Sequence, residues 1–169
     1  MNIGLEISVP KEWWDDKKVL RAIESTLKKK TGPALSKDFK MTVRHWKHKP
    51  DFPKKFAKNS REMYIEVYPA GRNKDQYSFV HDGTAPRLIV PKPSRGPSAR
   101  LRFKPGYSPS SSPGKIESGR ARRTGSFVTA AYVRHPGIRA RNFSNTIVNK
   151  EYGPFAVDIN KAIFLALID

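Results

Sequence analysis

The stretch from residue 91 to residue 125 cannot supply a core, so whatever this chain folds into must be built from the segments on either side. It carries nine cations (Lys92, Arg95, Arg100, Arg102, Lys104, Lys115, Arg120, Arg122 and Arg123) against the single carboxylate of Glu117. Only Leu101 and Phe103 are spaced to face a core, as a short strand. Ser108 to Ser112, with Pro109 among them and Pro113 and Gly114 after, offers too little apolar surface to order itself. The stretch is expected to be a long basic loop or arm held by something else, with neighbouring subunits as the expected holder.

The flanking segments carry the periodic patterns. Residues 10 to 30 read as an amphipathic helix, with Trp13, Leu20, Ile23 and Leu27 on one face. Pro10, Glu12, Asp15 and Asp16 suit its start, Lys28, Lys29 and Lys30 suit its end, and Gly32-Pro33 is expected to stop it. From Phe39 the period changes to two: Phe39, Met41 and Val43 alternate with polar residues and predict a strand. Residues 47 to 61 form a basic connection, with Lys47, Lys49, Lys54, Lys55, Lys58 and Arg61 against Asp51 alone. Met63, Ile65 and Val67 predict a second strand, Tyr77 to Val80 an antiparallel return, and Phe127 to Val133 a last strand. Two helices close the chain, over 142 to 149 and 154 to 167, the second with an apolar stripe of Phe155, Ile159, Ile163, Ala166 and Leu167. The expectation is an α+β fold in a single domain, 1–169. An antiparallel sheet of four to five strands would be packed by one long N-terminal helix and two C-terminal helices.

Composition narrows the function classes. With 37% hydrophobic residues, 14 Pro and 11 Gly, the core is small and the connections long. Three Trp, nine Phe and six Tyr argue against a disordered basic tail. The absence of Cys removes disulfides and thiolate metal sites and suits a reducing cytoplasm. No apolar run reaches the ~18 residues of a membrane span, and no signal-peptide layout is visible, so no membrane partner is expected. Lys and Arg number 33 against 15 Asp and Glu, a net charge of +18. That field attracts polyanions at long range and weakens with salt. Nucleic acid, an acidic protein surface or the acidic faces of neighbouring copies would all answer it.

Enzyme chemistry finds little support. His45 and His48 fall at an expected strand end, where residues three apart point to opposite faces, so no metal site is expected. His81-Asp82 lacks a serine or cysteine motif to complete a triad, and no glycine-rich phosphate loop is present. No catalytic residue, cofactor or metal is expected. Helix-turn-helix, zinc-finger and aromatic RNA-binding signatures are also missing, which counts against a dedicated sequence-reading domain.

Two turn motifs remain. The first is Tyr77-Ser-Phe-Val-His-Asp-Gly-Thr84, followed by Pro86 and Leu88-Ile-Val90; the second is Tyr132-Val-Arg-His-Pro-Gly-Ile-Arg-Ala-Arg-Asn-Phe143. Gly83 and Gly137 supply backbone positions free of Cβ restriction, and Pro136-Gly137 is the pairing of a type II turn. His81 and His135 either satisfy local backbone groups or meet a neighbouring subunit.

The order of these motifs, with a basic loop between them and helices after, resembles the neck or tail-completion proteins that join head to tail in tailed bacteriophages. The resemblance covers residues 62 to 168 and, more loosely, the N-terminal helix. Two departures are the His81-Asp82 pair, where relatives carry a compact acidic or aromatic residue, and the long basic insert between Arg95 and Arg123.

The resemblance implies a structural virion protein, assembled in the host cytoplasm, that forms a homo-oligomeric ring, sixfold or twelvefold, around the DNA channel. Its partners would be the portal- or adaptor-side ring and the tail tube or tail terminator. A tail-terminator ring and a non-specific nucleic-acid-binding domain are the alternatives. His81, Asp82, Gly83, Thr84, His135, Pro136, Gly137 and Phe143 are the expected subunit or partner contacts. Arg95, Arg100, Arg102, Lys104, Lys115, Arg120, Arg122 and Arg123 are expected to face DNA or acidic neighbours.

Overall fold

A computed structural model describes residues 3–10, 13, 16–59, 62–96 and 98–168. Glu12, Asp15 and Arg61, assigned above to a helix start and a basic connection, lie outside the described residues. The fold is α+β. Strand β1 (Ile3–Ser8) leads to helix α1 (Lys17–Thr26), and a π turn over Leu27–Thr31 leads directly into α2 (Gly32–Thr42). The helix expected from residue 10 starts instead after Asp16, whose carboxylate accepts from the N–H groups of Lys18 and Val19 at 2.8 and 3.1 Å, while Pro10 lies outside any helix.

Gly32-Pro33 does not stop the helix. Pro33 sits in the first turn of α2, where its missing N–H costs least, just after the π turn shifts the hydrogen-bond register. Gly32 is there for close approach: a Cβ would lie 2.3 Å from Ile65 Cδ1. Residues 39–43, expected as a strand, form the end of α2. Leu35, Phe39 and Val43, buried at intervals of four, belong to a helical face that the Phe39-Met41-Val43 alternation concealed.

Strands β2 (Lys54–Lys58) and β3 (Glu62–Val67) complete a three-stranded antiparallel sheet in the order β1-β3-β2. β3 is the expected strand, with Met63, Ile65 and Val67 buried, while β2 lies inside the expected basic connection. Tyr77 to Val80, expected as a strand, belongs to helix α3 (Lys74–Asp82). Tyr77 and His81 are buried one turn apart while Phe79 is exposed, so the period is helical.

Residues 84–138 fold back on themselves as one arm. Its base is the Thr84–Ile138 bridge, and three two-stranded antiparallel ladders follow outward. β4 (Arg87–Ile89) pairs with β9 (Val133–His135), β5 (Leu101–Phe103) with β8 (Val128–Ala130), and β6 (Gly106–Ser108) with β7 (Arg122–Thr124). The expected strand over 127–133 is thus two strands with different partners, and the described strands do not form one sheet of four to five. The serine-rich tip is held by its own chain: Ser118 Oγ donates to Met41 O and accepts from His45 N, both at 3.3 Å.

A single helix, α4 (Phe143–Ile168), replaces the two expected C-terminal helices and carries Pro154 inside it. It packs on α1 and α2 through Phe143, Ile147, Phe155 and Ile159, and Lys30–Asp158 and Lys150–Asp38 pairs tie it down. The core is centred on Tyr77, whose ring meets those of Phe52 at 5.2 Å and Phe143 at 5.5 Å. No described helix is long and apolar enough to cross a membrane.

Candidate functional site

The two turn motifs pack against each other within one chain. Thr84 N donates to Ile138 O at 2.9 Å, and Ile138 N donates back to Thr84 O at 3.0 Å. Gly137 has φ +89°, and a Cβ there would stand 2.2 Å from Thr84 O; at Gly83, φ +79°, a Cβ would stand 2.6 Å from Ile138 O. Both glycines are therefore required by the same close crossing of backbones. His135 serves locally, its Nδ1 accepting from Gly137 N at 3.0 Å. Phe143, expected at a subunit contact, is fully buried, and His81 is buried too, so neither side chain is a surface contact in this fold. Asp82 and Pro136 are exposed.

His81 joins α3 to the start of α4. Its Nδ1 lies 2.6 Å from Asp82 Oδ1 and its Nε2 2.6 Å from Ser144 Oγ, and Ser144 N–H points at the same Nε2 at 3.4 Å. Nε2 thus accepts and the ring proton sits on Nδ1, facing the carboxylate. No local pattern points to this third member, because Ser144 lies far along the chain in no nucleophile motif. The array has the connectivity of a hydroxyl–imidazole–carboxylate relay. Ser144 and His81 are both buried, however, and neither lines any of the cavities described below. The array ties two helices together.

The cations of the arm are mostly exposed. Arg95, Arg100, Arg102, Lys115, Arg120, Arg122 and Arg123 reach solvent, and Lys104 is half-buried. Arg102 and Lys104 stand over the exposed ring of Phe127, 4.5 and 5.1 Å from its centre. Arg123 turns toward the body and lines a cavity of about 760 Å³ with Lys47, Arg139 and Arg141. His45, His48 and His135 line it as well, with Trp46 and Tyr107 as its aromatic walls. Among the described residues no carboxylate lines it. A second cavity of about 760 Å³ shares Tyr107, Arg123, His135 and Pro136 with the first, adds Arg102, Lys104, Phe127 and Arg134, and again has no carboxylate among the described residues. A third, of about 650 Å³, lies apart, over the Asp38–Lys150 pair.

Arg141 is the least expected member. It is only 8% exposed, and its Nε has no hydrogen-bond partner among the described residues. Burial, then the Arg139 charge, pulls its pKa below the ordinary arginine value, against an opposing contribution from Tyr107. Trp46 Nε1 is a second buried donor without a partner among the described residues. Sequence reasoning set His45 and His48 aside as a metal pair and overlooked Arg139 and Arg141, although Arg139-Ala-Arg141 lies inside the quoted motif. Among the described residues no group of three or more His, Cys, Asp or Glu could hold a metal. Searches of family models, curated proteins and solved structures found nothing that matches this chain.

Proposed function

We propose that this chain is a structural ring protein of the head–tail junction of a tailed bacteriophage, joining the portal side to the tail around the DNA channel. The motif order through His81-Asp82-Gly83-Thr84 and His135-Pro136-Gly137 supports the family, and a distribution of apolar surface supports the ring. On α4, Val157, Phe164 and Ile168 recur after seven and four residues and line one face, all exposed. The opposite face buries Phe155 and Ile159. A helix apolar on both faces is suited to burial on both.

A second, different apolar surface lies on the arm, where Leu88, Val90, Phe127 and Tyr132 are exposed. Two unlike apolar surfaces on one chain are what a head-to-tail contact needs, and such contacts make a ring where the rotation between neighbours closes. In the ring the β1 edge of the three-stranded sheet is open to a neighbour, whereas the β2 edge carries Lys54, Lys55 and Lys58, which discourage pairing. The ring is sixfold or twelvefold, and a tail-terminator ring uses the same contacts.

Light scattering after size exclusion, with electron microscopy, tests the reading. The wild type is expected to form closed rings. Phe164→Asp with Val157→Asp is expected to yield folded monomers. A strictly twofold dimer in the assembled particle would overturn the proposal.

A further inference from the structure

We infer that the two cation-lined cavities beneath the arm form one track for single-stranded nucleic acid, with phosphates on the arginines and a base on Tyr107. This goes beyond the ring reading and does not depend on it. The first cavity brings Lys47, Arg123, Arg139 and Arg141 together from parts of the chain that are remote in sequence. Like charges gathered without a counter-charge among the described residues repel one another. The ligand that answers this condition is an anion, and guanidinium forks match phosphate.

The aromatic rings choose among anions. Tyr107 is 59% exposed and pairs directly across the β6–β7 ladder with Arg123, so a ring face and a guanidinium stand side by side. Successive bases on aromatic faces beside a cationic backbone groove is how single strands are held without reading sequence. Tyr107 and Arg123 line both cavities, and Phe127 with Arg102 and Lys104 repeats the pairing in the second. The track therefore accommodates more than one nucleotide. A cavity near 760 Å³ falls in the size range of small-ligand sites, roughly 300–1,000 Å³, and takes a splayed nucleotide but not a rigid duplex. An acidic peptide would satisfy the cations but has no use for the exposed ring.

Fluorescence-anisotropy titrations of the full chain with labelled oligo-dT of eight residues test this, with a 16-base-pair duplex, inorganic phosphate and hexaglutamate as competitors. Oligo-dT is expected to bind saturably and to be displaced more weakly by duplex and by hexaglutamate. Arg141→Met is expected to weaken oligo-dT binding at least tenfold, and Arg123→Ser with Arg139→Ser, both on exposed side chains, to do the same without disturbing the fold. Tyr107→Ala should weaken oligo-dT at least fivefold while leaving competition by inorganic phosphate unchanged, the mark of stacking. Arg120→Ser, outside both cavities, should change affinity less than twofold. Stronger binding of hexaglutamate than of oligo-dT would transfer the site to a protein partner and overturn the inference. So would equal losses from Arg120→Ser and Arg123→Ser, tighter duplex binding, or no saturable binding.

Discussion

Gly137 is the position where a single methyl group should do the most damage. Its φ of +89° is already costly for an L-residue, about 1–2 kcal/mol. The added Cβ would sit 2.2 Å from Thr84 O and 3.0 Å from Ala85 C and Pro86 N, all backbone atoms that cannot swing aside. Relief requires the two backbones to part by about an ångström, the difference between 2.2 Å and an ordinary contact. That separation breaks the paired Thr84–Ile138 hydrogen bonds of 2.9 and 3.0 Å. At roughly 0.5–1.5 kcal/mol each, their loss adds about 1–3 kcal/mol. Gly137→Ala should therefore destabilise the fold by about 2–5 kcal/mol, a large share of a typical domain's stability.

Gly114 is the control. Its φ is +70° but a Cβ there meets nothing within 4 Å, so Gly114→Ala carries the conformational cost alone, about 1–2 kcal/mol. Urea unfolding followed by tryptophan fluorescence compares the two. If the variants are equally stable, the backbone crossing does not hold the arm to the body as argued.

Three further outcomes are expected. Ser144→Ala leaves His81 Nε2 short of one donor and should cost about 1–2 kcal/mol in chemical denaturation, with esterase activity at background before and after. Lys150→Met strips the cation from the buried carboxylate of Asp38; because Lys150 itself is half exposed, about 1–3 kcal/mol is expected rather than the full cost of a broken buried pair. The hydrogen bond to Asp38 raises the Lys150 pKa, so its stabilisation is complete below the ordinary lysine value and lost as pH rises through the folded-state value. The stability gap between wild type and Lys150→Met should accordingly shrink in titrations from pH 8 to pH 11.5. Replacing Arg120, Arg122 and Arg123 together by Ser should leave the circular dichroism spectrum unchanged and impair head–tail joining, seen as unjoined heads and tails; normal particle yields would show the arm's charge to be idle.

What the residues determine alone is local and chemical. Met63, Ile65 and Val67 are read as a strand from their alternation, and β3 buries all three; Asp16 is read as an acid near a helix start, where its carboxylate suits the free N–H groups. The glycines at 83 and 137 announce turns free of Cβ restriction, and the composition of 91–125 keeps that segment out of the core. Tertiary structure decides the rest. Short patterns such as Phe39-Met41-Val43 and Tyr77-Ser-Phe79 fit both periods, and only burial against Phe52 and Phe143 selects the helix. Gly32-Pro33 is a stop signal, and Pro154 a start signal, only for an isolated helix; packing against β3 and α1 carries the chain through both. Charge, finally, has no period. Lys47, Tyr107, Arg123, Arg139 and Arg141 become a cavity because the arm folds back over the end of α2, a convergence between distant segments that no local pattern encodes.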